Sequence, residues 1–302
     1  MDTKQSMGPR TLALLRKGNN KLEAWRAEIP DREAVDFLGI GTQKAGTSWV
    51  VGNLKAHPSV WTPIVKEIHY FDVLYADTRR KERLRVFDKR CRDPLERAKA
   101  RVPLDRELID YYTAFSDPEV AFTDDWYRRI FGVAGASQKA GEYTPMYCAI
   151  GRAGIEHLRR LAPSVRLIYL IREPVARAIS SLSMMSGFWR TRSQREIVDS
   201  REFQVRGDYA GNIPLWDEYF GDQVLYLPFK QIAQDPLGTM RRIENHIGIE
   251  PFEGYPALGR KNNSFSGKLA IEDDCIATIQ QQTQPQRTFL ANRFGEAFLQ
   301  MI

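Results

Sequence analysis

The sequence predicts a three-layer α/β/α protein, in which helices cover both faces of a central parallel sheet. Predicted strands and helices alternate along the chain, and strands such as VRLIYLI at 165–171 are apolar on both faces. This pattern is typical of a parallel sheet buried between helices. No break in composition divides the 302 residues, so we expect a single domain over 1–302. In such folds ligands bind beyond the carboxyl ends of the strands.

The predicted elements follow from apolar runs and from the residues that interrupt them. The first strand, AVDFLGIG, begins at Ala34. A helix from 47 to 56 ends at His57-Pro58, because the residue before proline is pushed out of helical geometry. The remaining expectations, in chain order, are a leading helical segment over 1–33, an extended element over 60–71, a helical insert over 72–135, a short strand closing at 142–145, a helix over 151–161, a helix beginning at 173–174, a strand over 223–229 and a helix carrying apolar residues at 237, 240, 243 and 247.

Composition excludes several other classes of protein. A hydrophobic fraction of 43% is enough for a packed core, which excludes general disorder. The three cysteines are widely spaced and fit neither a disulfide framework nor a metal site. No apolar run approaches the roughly 18 residues of a membrane span, and the start lacks the apolar core of a signal peptide. We therefore expect a cytoplasmic protein without a membrane span.

The net charge of +6 suggests an anionic partner, but the charge is concentrated in one segment. Residues 79–106 carry 12 Lys or Arg against 5 Asp or Glu, so the rest of the chain is close to neutral. We interpret this segment as a solvated helix face or, alternatively, as an entry for an anionic ligand. No helix-turn-helix, zinc or aromatic-platform motif accompanies it, so we do not expect nucleic acid as the partner.

A glycine-framed loop follows the first strand and predicts a phosphate site. The stretch 41–49, GTQKAGTSW, has the G-x-x-x-x-G frame of a P-loop, whose backbone N–H groups and helix N-terminus bind anions. A nucleoside triphosphatase places its lysine directly after the second glycine, where this chain has Thr47; the lysine here is Lys44. Arg172 stands where a Mg²⁺-binding aspartate is expected. The alternative is a tight glycine turn without a ligand.

A second motif lies after the apolar strand at 165–171. Arg172 stands at the strand end, Pro174 follows, and Ser180 lies two turns into the next helix. An arginine fork with a hydroxyl at a strand end suits a second phosphate. The alternative is an arginine salt bridge and a serine on the helix surface.

Together the two motifs resemble the sulfotransferases that use 3′-phosphoadenylyl sulfate (PAPS). Their loop reads P-K-x-G-T-[ST]-W, and their second motif is R-x-P with a serine eight residues after the arginine. The stretch KEIHYF at 66–71 resembles the K-E-x-H-[FY]-F segment of the heparan-type and related bacterial members. The stretch GEYTP at 141–145 resembles their G-E-x-[ST]-P, and 229–249 resembles a late strand-loop-helix. The resemblance spans about 37–268.

Three departures from the family pattern stand out. Gln43 replaces the loop proline, and the Arg-Lys-Gly of the cytosolic subfamily is present only as Arg260-Lys261-Asn262. The catalytic T-H-x-P histidine segment of that subfamily has no counterpart, so the base must come from elsewhere.

The resemblance implies a P-loop-like sulfotransferase fold. It also implies transfer of a sulfuryl group from PAPS to an acceptor hydroxyl or amine, with 3′,5′-ADP (PAP) as the other product and no metal. Lys44 would neutralise charge on the departing phosphate oxygen, and Arg172 and Ser180 would bind the 3′-phosphate. Trp49 would stack on adenine or, alternatively, pack in the core. The other implied donor-binding residues are Ala45, Gly46, Thr47 and Ser48, which cradle the 5′-phosphate, and Arg260 and Lys261, which close over the 3′-phosphate.

An acceptor hydroxyl needs a general base, and three residues compete for that role. Resemblance to the heparan-type enzymes places Glu67 first. His69 is second, since the pKa of an unperturbed imidazole suits proton transfer near neutral pH, and Glu142 is third. The alternative for Glu67 and His69 is a surface salt bridge and a buried imidazole.

The acceptor and the competing functions stay open at the level of sequence. A saccharide, a lipid or a small alcohol or phenol would bind against the segments 72–135 and 184–215, and no oligomeric state is predicted. A P-loop nucleotide or small-molecule kinase is the main alternative, because it shares the topology. A non-catalytic binding protein for nucleic acid is a third class, suggested by charge alone.

Overall fold

The computed structural model of the protein describes residues 33–63, 65–76, 121–256, 258–259 and 270–302. Four predictions fall wholly or mostly outside these residues: the leading helical segment over 1–33, the helical insert over 72–135, the basic segment 79–106, and the pair Arg260 and Lys261. They stay predictions.

Five parallel strands form one sheet, with the order β2-β3-β1-β4-β5. The strand with the glycine-framed loop, β1, lies at the centre, and within the described residues β2 lies at one edge beside β3. The strands are β1 (Phe37–Gly41), β2 (Val60–Trp61), β3 (Lys139–Tyr143), β4 (Arg166–Ile171) and β5 (Val224–Pro228). Because all five strands run in one direction, their carboxyl ends lie along the same edge of the sheet.

Helices connect the strands and follow the last one. In the described part of the chain they are α1 (Thr47–Leu54), α2 (Tyr70–Tyr75), α3 (Asp124–Phe131), α4 (Gly151–Leu161), α5 (Pro174–Phe188), α6 (Gln194–Val198), α7 (Arg201–Gln204), α8 (Tyr209–Phe220), α9 (Gln231–Gln234), α10 (Pro236–Ile247), α11 (Asp273–Phe294) and α12 (Glu296–Met301). Among these helices, none is both long and apolar enough to cross a bilayer.

Strand β4 shows how the sheet separates two cores. Ile168 and Leu170 point to one face and pack in a cluster with α1 and α10. Leu167, Tyr169 and Ile171 point to the other face and pack with α2, α3, α4 and α8. Successive side chains of a strand point to opposite faces, so a fully apolar strand requires an apolar layer on each side. The predicted three-layer α/β/α class with a central parallel sheet is confirmed.

Most predicted elements are confirmed, but the extended element over 60–71 is wrong beyond Trp61. Strand β2 ends there, and Pro63 follows, which cannot donate a backbone hydrogen bond to a sheet. The chain then turns through Glu67 and His69, which have φ of 65° and 59°, and α2 begins at Tyr70. The segment after Trp61 therefore forms a turn and then a helix, because the backbone angles of Glu67 and His69 lie outside the extended region.

Candidate functional site

The loop between β1 and α1 has the backbone geometry that the predicted phosphate site requires. Gly46 is the N-cap of α1 in the left-handed region, with φ of 89°, and no side chain caps the helix. The backbone angle favours glycine, and a Cβ on Gly46 would also lie 2.7 Å from Ile232 Cδ1, so that side chain would have to shift. The uncapped N–H groups at the start of α1 therefore face the loop, as phosphate binding requires.

Arg172 joins the two predicted phosphate motifs. Its Nη1 donates a hydrogen bond to the Lys44 carbonyl oxygen at 2.8 Å, and its guanidinium lies over the Phe229 ring at 4.8 Å. The Tyr209 hydroxyl donates to the Arg172 carbonyl oxygen at 2.9 Å, which holds the strand end. Ser180 lies two turns into α5 and is half-buried. The structure thus brings the loop and the arginine of the second motif together.

Cations are concentrated around this loop. Burial lowers the pKa of Lys44, and the neighbouring charges of Arg172 and Lys66 lower it further. Such mutual repulsion destabilises the unliganded site, and a bound anion relieves it. Lys44 also has a left-handed backbone, with φ of 73°. Strained backbone of this kind is concentrated at functional sites; in the described residues three of the four non-glycine residues with positive φ are Lys44, Glu67 and His69.

Lys66 connects the loop to the predicted base. Its Nζ donates to Ser48 Oγ at 2.8 Å and lies 3.6 Å from Glu67 Oε1. The Glu67 side chain is 23% exposed, so solvent and ligand can reach it. The structure therefore places the first candidate base at the phosphate loop.

Glu67, His69 and Asp72 form a chain of charges. His69 Nε2 lies 3.4 Å from Glu67 Oε2, and His69 Nδ1 forms a 2.8 Å hydrogen bond with Asp72 Oδ2. Burial of the imidazole opposes its charge, but the charges of Asp72 and Glu67 prevail and raise the pKa of His69 to about 9. The ring is therefore an imidazolium at neutral pH, with a proton on each nitrogen. A protonated His69 cannot accept a proton, so its raised pKa favours Glu67 over His69 as the candidate base.

Asp72 was missed in the sequence analysis. It is fully buried in the first turn of α2, three residues after His69. The spacing H-x-x-D at the start of a helix could have indicated it, since residues three apart share one face. The wrong extended prediction for this segment hid that spacing, because residues three apart in a strand point to opposite faces.

Glu142 is a buried support rather than an accessible carboxylate. It is 3% exposed and accepts hydrogen bonds from the Ile68 N–H at 3.0 Å and from the hydroxyls of Thr144 and Tyr147, each at 2.6 Å. The Tyr127 hydroxyl also donates to it, at 3.2 Å. Burial raises the pKa of Glu142, although these donors oppose the shift. Its bond to Ile68 fixes the backbone between Glu67 and His69.

Two loop residues have structural partners. Gln43, which replaces the family proline, accepts a 2.8 Å hydrogen bond from Arg206 Nη1, and the sequence did not indicate Arg206. Trp49 is 3% exposed, packs in the core with α10, and donates from Nε1 to the Leu258 carbonyl oxygen at 3.4 Å. Of its two predicted roles, core packing is what these contacts describe, and adenine stacking stays a prediction.

A small cleft opens beside Glu67, between α1 and the chain after β2. Its polar wall contains Lys55, Thr62, Lys66, Glu67 and Glu142. Its apolar wall is formed by Phe37, Val51, Leu54, Pro63, Val65 and Tyr143. Glu67 thus lies between the phosphate loop on one side and an amphipathic cleft on the other.

The sequence model of the Sulfotransferase family matches residues 36–254, and the chain belongs to this family. This assignment does not favour the kinase alternative. Curated relatives include heparan sulfate glucosamine 3-O-sulfotransferase 3B1 of Mus musculus, 28% identical over 46% of this chain and 41% of the relative. Another is the 3A1 enzyme of Homo sapiens, 22% identical over 92% of this chain and 58% of the relative. The matches span about two fifths to three fifths of these relatives.

Solved structures support the fold. A sulfotransferase from Alicyclobacillus acidocaldarius aligns with a TM-score of 0.58 at 20% identity, covering 88% of this chain and 94% of that one. The sulfotransferase domain of the Synechococcus PCC 7002 olefin synthase aligns with a TM-score of 0.52 at 17% identity, covering 84% and 97%. At these identities the likeness establishes the α/β sulfotransferase fold alone.

Proposed function

We propose that the protein transfers the sulfuryl group of PAPS to an acceptor hydroxyl. The observation that carries this proposal is the position of Glu67, which contacts Lys66 and His69 beside the phosphate loop. Membership of the Sulfotransferase family supports it. The reaction requires positioning and charge stabilisation more than covalent chemistry by the protein, and this site is built of cations, backbone N–H groups and one oriented carboxylate.

The donor would bind at the glycine-framed loop. The N–H groups at the start of α1 and the hydroxyls of Thr47 and Ser48 would hold the 5′-phosphate, with Lys44 beside the oxygen that leaves. Arg172 and Ser180 would hold the 3′-phosphate, joined by Arg260 and Lys261. The cation cluster fits a ligand with several negative charges, because the repulsion between Lys44, Arg172 and Lys66 falls when an anion binds.

Glu67 would act as the general base. As the acceptor oxygen forms its bond to sulfur, the bond between sulfur and the phosphate oxygen of the donor breaks, and PAP leaves. The proton of the acceptor hydroxyl moves to the Glu67 carboxylate. The His69 imidazolium holds that carboxylate toward the acceptor, and Asp72 keeps His69 charged and oriented. The buried pair His69 and Asp72 can fix the direction of the Glu67 carboxylate and still leave that carboxylate accessible to the acceptor.

The acceptor would be a saccharide hydroxyl. The curated relatives that match this chain are named as heparan sulfate glucosamine 3-O-sulfotransferases, and the amphipathic cleft beside Glu67 has apolar and polar walls that suit a sugar ring. An acceptor screen with radiolabelled PAPS tests this proposal. Preferential labelling of a lipid or a phenol would show that the acceptor is not a saccharide.

The variants Glu67→Gln and Arg172→Ala test the mechanism. Glu67→Gln keeps the shape of the side chain and removes the base, so turnover should fall by about 100-fold or more while PAP binding stays intact. Arg172→Ala should lose both transfer and PAP affinity, since it removes the proposed contact with the 3′-phosphate and the hydrogen bond to the Lys44 carbonyl. Measurement of single-turnover rates and of PAP affinity by calorimetry separates the two losses. Transfer at the normal rate by Glu67→Gln would exclude Glu67 as the base.

A further inference from the structure

The loop after β1 begins with a turn whose shape favours proline at its second position. The Ala45 N–H donates to the Thr42 carbonyl oxygen at 3.2 Å, which closes a four-residue turn over 42–45. Lys44, at the third position, has φ of 73°, whereas the φ of Gln43, at the second position, is not positive. This sequence of backbone angles is that of a type II turn, in which proline at the second position sets the required angle in advance. Gln43 lacks that constraint.

Arg206 contacts the loop at this same position. Its Nη1 donates to Gln43 Oε1 at 2.8 Å, although the two residues lie 163 positions apart in sequence. Both side chains are half-buried. A hydrogen bond from a charged donor is about twice as strong as one between neutral groups. The side chain of Gln43 is therefore fixed from outside the loop.

The segment that carries Arg206 is itself held in place. It is one turn of 3-10 helix, Val205–Gly207, between α7 and α8. The next residue, Asp208, is the N-cap of α8 and accepts a 3.0 Å hydrogen bond from Gln286 Nε2. Gln286 belongs to α11, and its Oε1 accepts a 2.8 Å hydrogen bond from the Ala210 N–H. Arg206 thus reaches the loop from a segment that two helices hold.

We propose that Arg206 is a positioning residue for the sulfuryl donor. By binding the Gln43 amide, it keeps the turn 42–45 in the type II shape, so that the loop holds Lys44 and the start of α1 ready for the 5′-phosphate. A tertiary contact in this chain thus replaces the local constraint that a proline at position 43 would supply. The inference rests on the proposed function, because that function assigns the loop to the donor.

The effect of this contact is on donor affinity. A loop that must become ordered around its ligand loses part of the binding free energy, and a loop that is already ordered does not. A hydrogen bond from a charged group is worth about 10- to 100-fold in an equilibrium constant. We expect about tenfold weaker binding of PAP and of adenosine 5′-phosphate without Arg206. Binding of adenosine 3′-phosphate should change by less than about twofold, since Arg172 and Ser180 do not contact Gln43.

The experiment combines changes at the two positions with a matched control. The variants are Gln43→Ala, Arg206→Ala, the double alanine variant, Gln43→Pro, and Gln43→Pro with Arg206→Ala. The control is Arg159→Ala, because Arg159 Nη1 donates to Gln223 Oε1 at 2.7 Å in the same kind of pair. Gln223 directly precedes β5, so this pair lies at the opposite edge of the sheet from the loop. Nucleotide affinity by calorimetry, kcat, donor KM and acceptor KM are measured for each protein.

The two single alanine variants should each lose about tenfold in PAP affinity, and the double variant should lose no more than either one, because both changes remove the same contact. Gln43→Pro should bind PAP as well as the wild type or up to about fivefold better. In the Gln43→Pro background, Arg206→Ala should cost less than about threefold. Donor KM should follow PAP affinity, while kcat and acceptor KM stay near the wild-type values. Arg159→Ala should behave as the wild type.

Two results would overturn the proposal. If the losses of the two alanine variants add in the double variant, Arg206 acts through its charge and not through Gln43. If Arg206→Ala costs the same affinity with proline at position 43 as with glutamine, the turn does not need Arg206. The alanine cycle gives its answer even where Gln43→Pro does not fold.

Binding and turnover separate this inference from the proposed function. Suppose that PAP binding depends on the Gln43–Arg206 pair but the wild type transfers sulfuryl to no acceptor. The inference then stands and the proposed transfer reaction is wrong. If instead Arg206→Ala transfers sulfuryl with the donor KM of the wild type, the function stands and the inference is wrong. A wild type that binds no PAP would contradict both.

Discussion

At the scale of single residues, the candidate site depends on the ionisation of His69. An imidazole with an unperturbed pKa would be largely neutral above pH 7 and could itself act as a base. Here Asp72, which is fully buried, and Glu67 raise the pKa of His69 to about 9. The sequence left open whether Glu67 or His69 is the base. The raised pKa of His69 favours the Glu67 carboxylate, because the imidazole already holds its proton.

The coupling between His69 and Asp72 should depend on pH. Because the folded-state pKa of His69 is raised above its unfolded value of 6.5, its stabilisation is fully present below that value and is lost as the pH rises through about 9. Loss of one partner of a buried ion pair costs about 3–5 kcal/mol, so Asp72→Asn should be strongly destabilised near neutral pH.

A double-mutant cycle of Asp72→Asn with His69→Gln, by urea unfolding at about pH 6 and about pH 10, isolates this pair from other titrating groups. The coupling free energy should fall by more than half at the higher pH. A coupling that does not change with pH would show that His69 does not titrate between the two pH values, which contradicts a pKa of about 9.

At the scale of elements, the start of α1 has the backbone geometry for the proposed phosphate site, because Gly46 adopts a left-handed conformation there. The helix begins without a side-chain cap, so its N–H groups stay available to a ligand. Arg172, from the end of β4, bonds to the Lys44 carbonyl and fixes the same loop from the other side. A short loop held at both ends is preorganised for an anion.

The variants Gly46→Ala and Gly52→Ala compare two glycines next to or within α1. Gly46→Ala adds a Cβ at φ of 89° and 2.7 Å from Ile232 Cδ1, so it should cost about 1–2 kcal/mol of stability and weaken PAP binding. Gly52→Ala meets no atom within 4 Å inside the helix, so it should stabilise the protein by about 0.5–1 kcal/mol. Thermal unfolding and PAP titration of both variants check this. Equal effects at the two positions would contradict the assigned role of Gly46.

At the scale of the whole molecule, strand order assembles the site. The order β2-β3-β1-β4-β5 places the loop of β1 between two neighbours. On one side are β3, with Glu142, and the turn after β2, with Glu67. On the other side is β4, with Arg172. Glu67 and Arg172, more than 100 residues apart in sequence, thus face the same loop.

A ligand that bridges these elements should stabilise the fold. At about 100 times its Kd, PAP should add about 2.7 kcal/mol to the free energy of unfolding, seen as a rise in Tm that needs no Mg²⁺ and survives EDTA. Adenosine 5′-phosphate, which lacks the 3′-phosphate, should give a smaller rise because it cannot use Arg172 and Ser180. Stabilisation by Mg·ATP alone, without any effect of PAP, would instead indicate a kinase.

The sequence by itself determined the α/β/α class, the glycine-framed loop after β1, the place of Arg172 at the end of β4 and the candidacy of Glu67. These features depend on local patterns in the sequence. They are apolar runs that are buried on both faces of a sheet, a glycine at a position where the turn has a left-handed backbone, and polar groups directly after strands. Such patterns are visible without knowledge of the partners across space, and the helix at 151–161 was predicted to the residue for the same reason.

Only the tertiary structure decided how the site residues interact. The extended prediction for 60–71 failed because the positive φ of Glu67 and His69 arises from contacts with β3 and the phosphate loop, including the bond from Ile68 to Glu142. Arg206 contacts Gln43 from a position distant in sequence, and Asp72 meets His69 because α2 begins at Tyr70. Ionisation follows from burial and from nearby charge, which are properties of the folded chain, so the distinction between an oriented base and a charged histidine could not be made from the sequence.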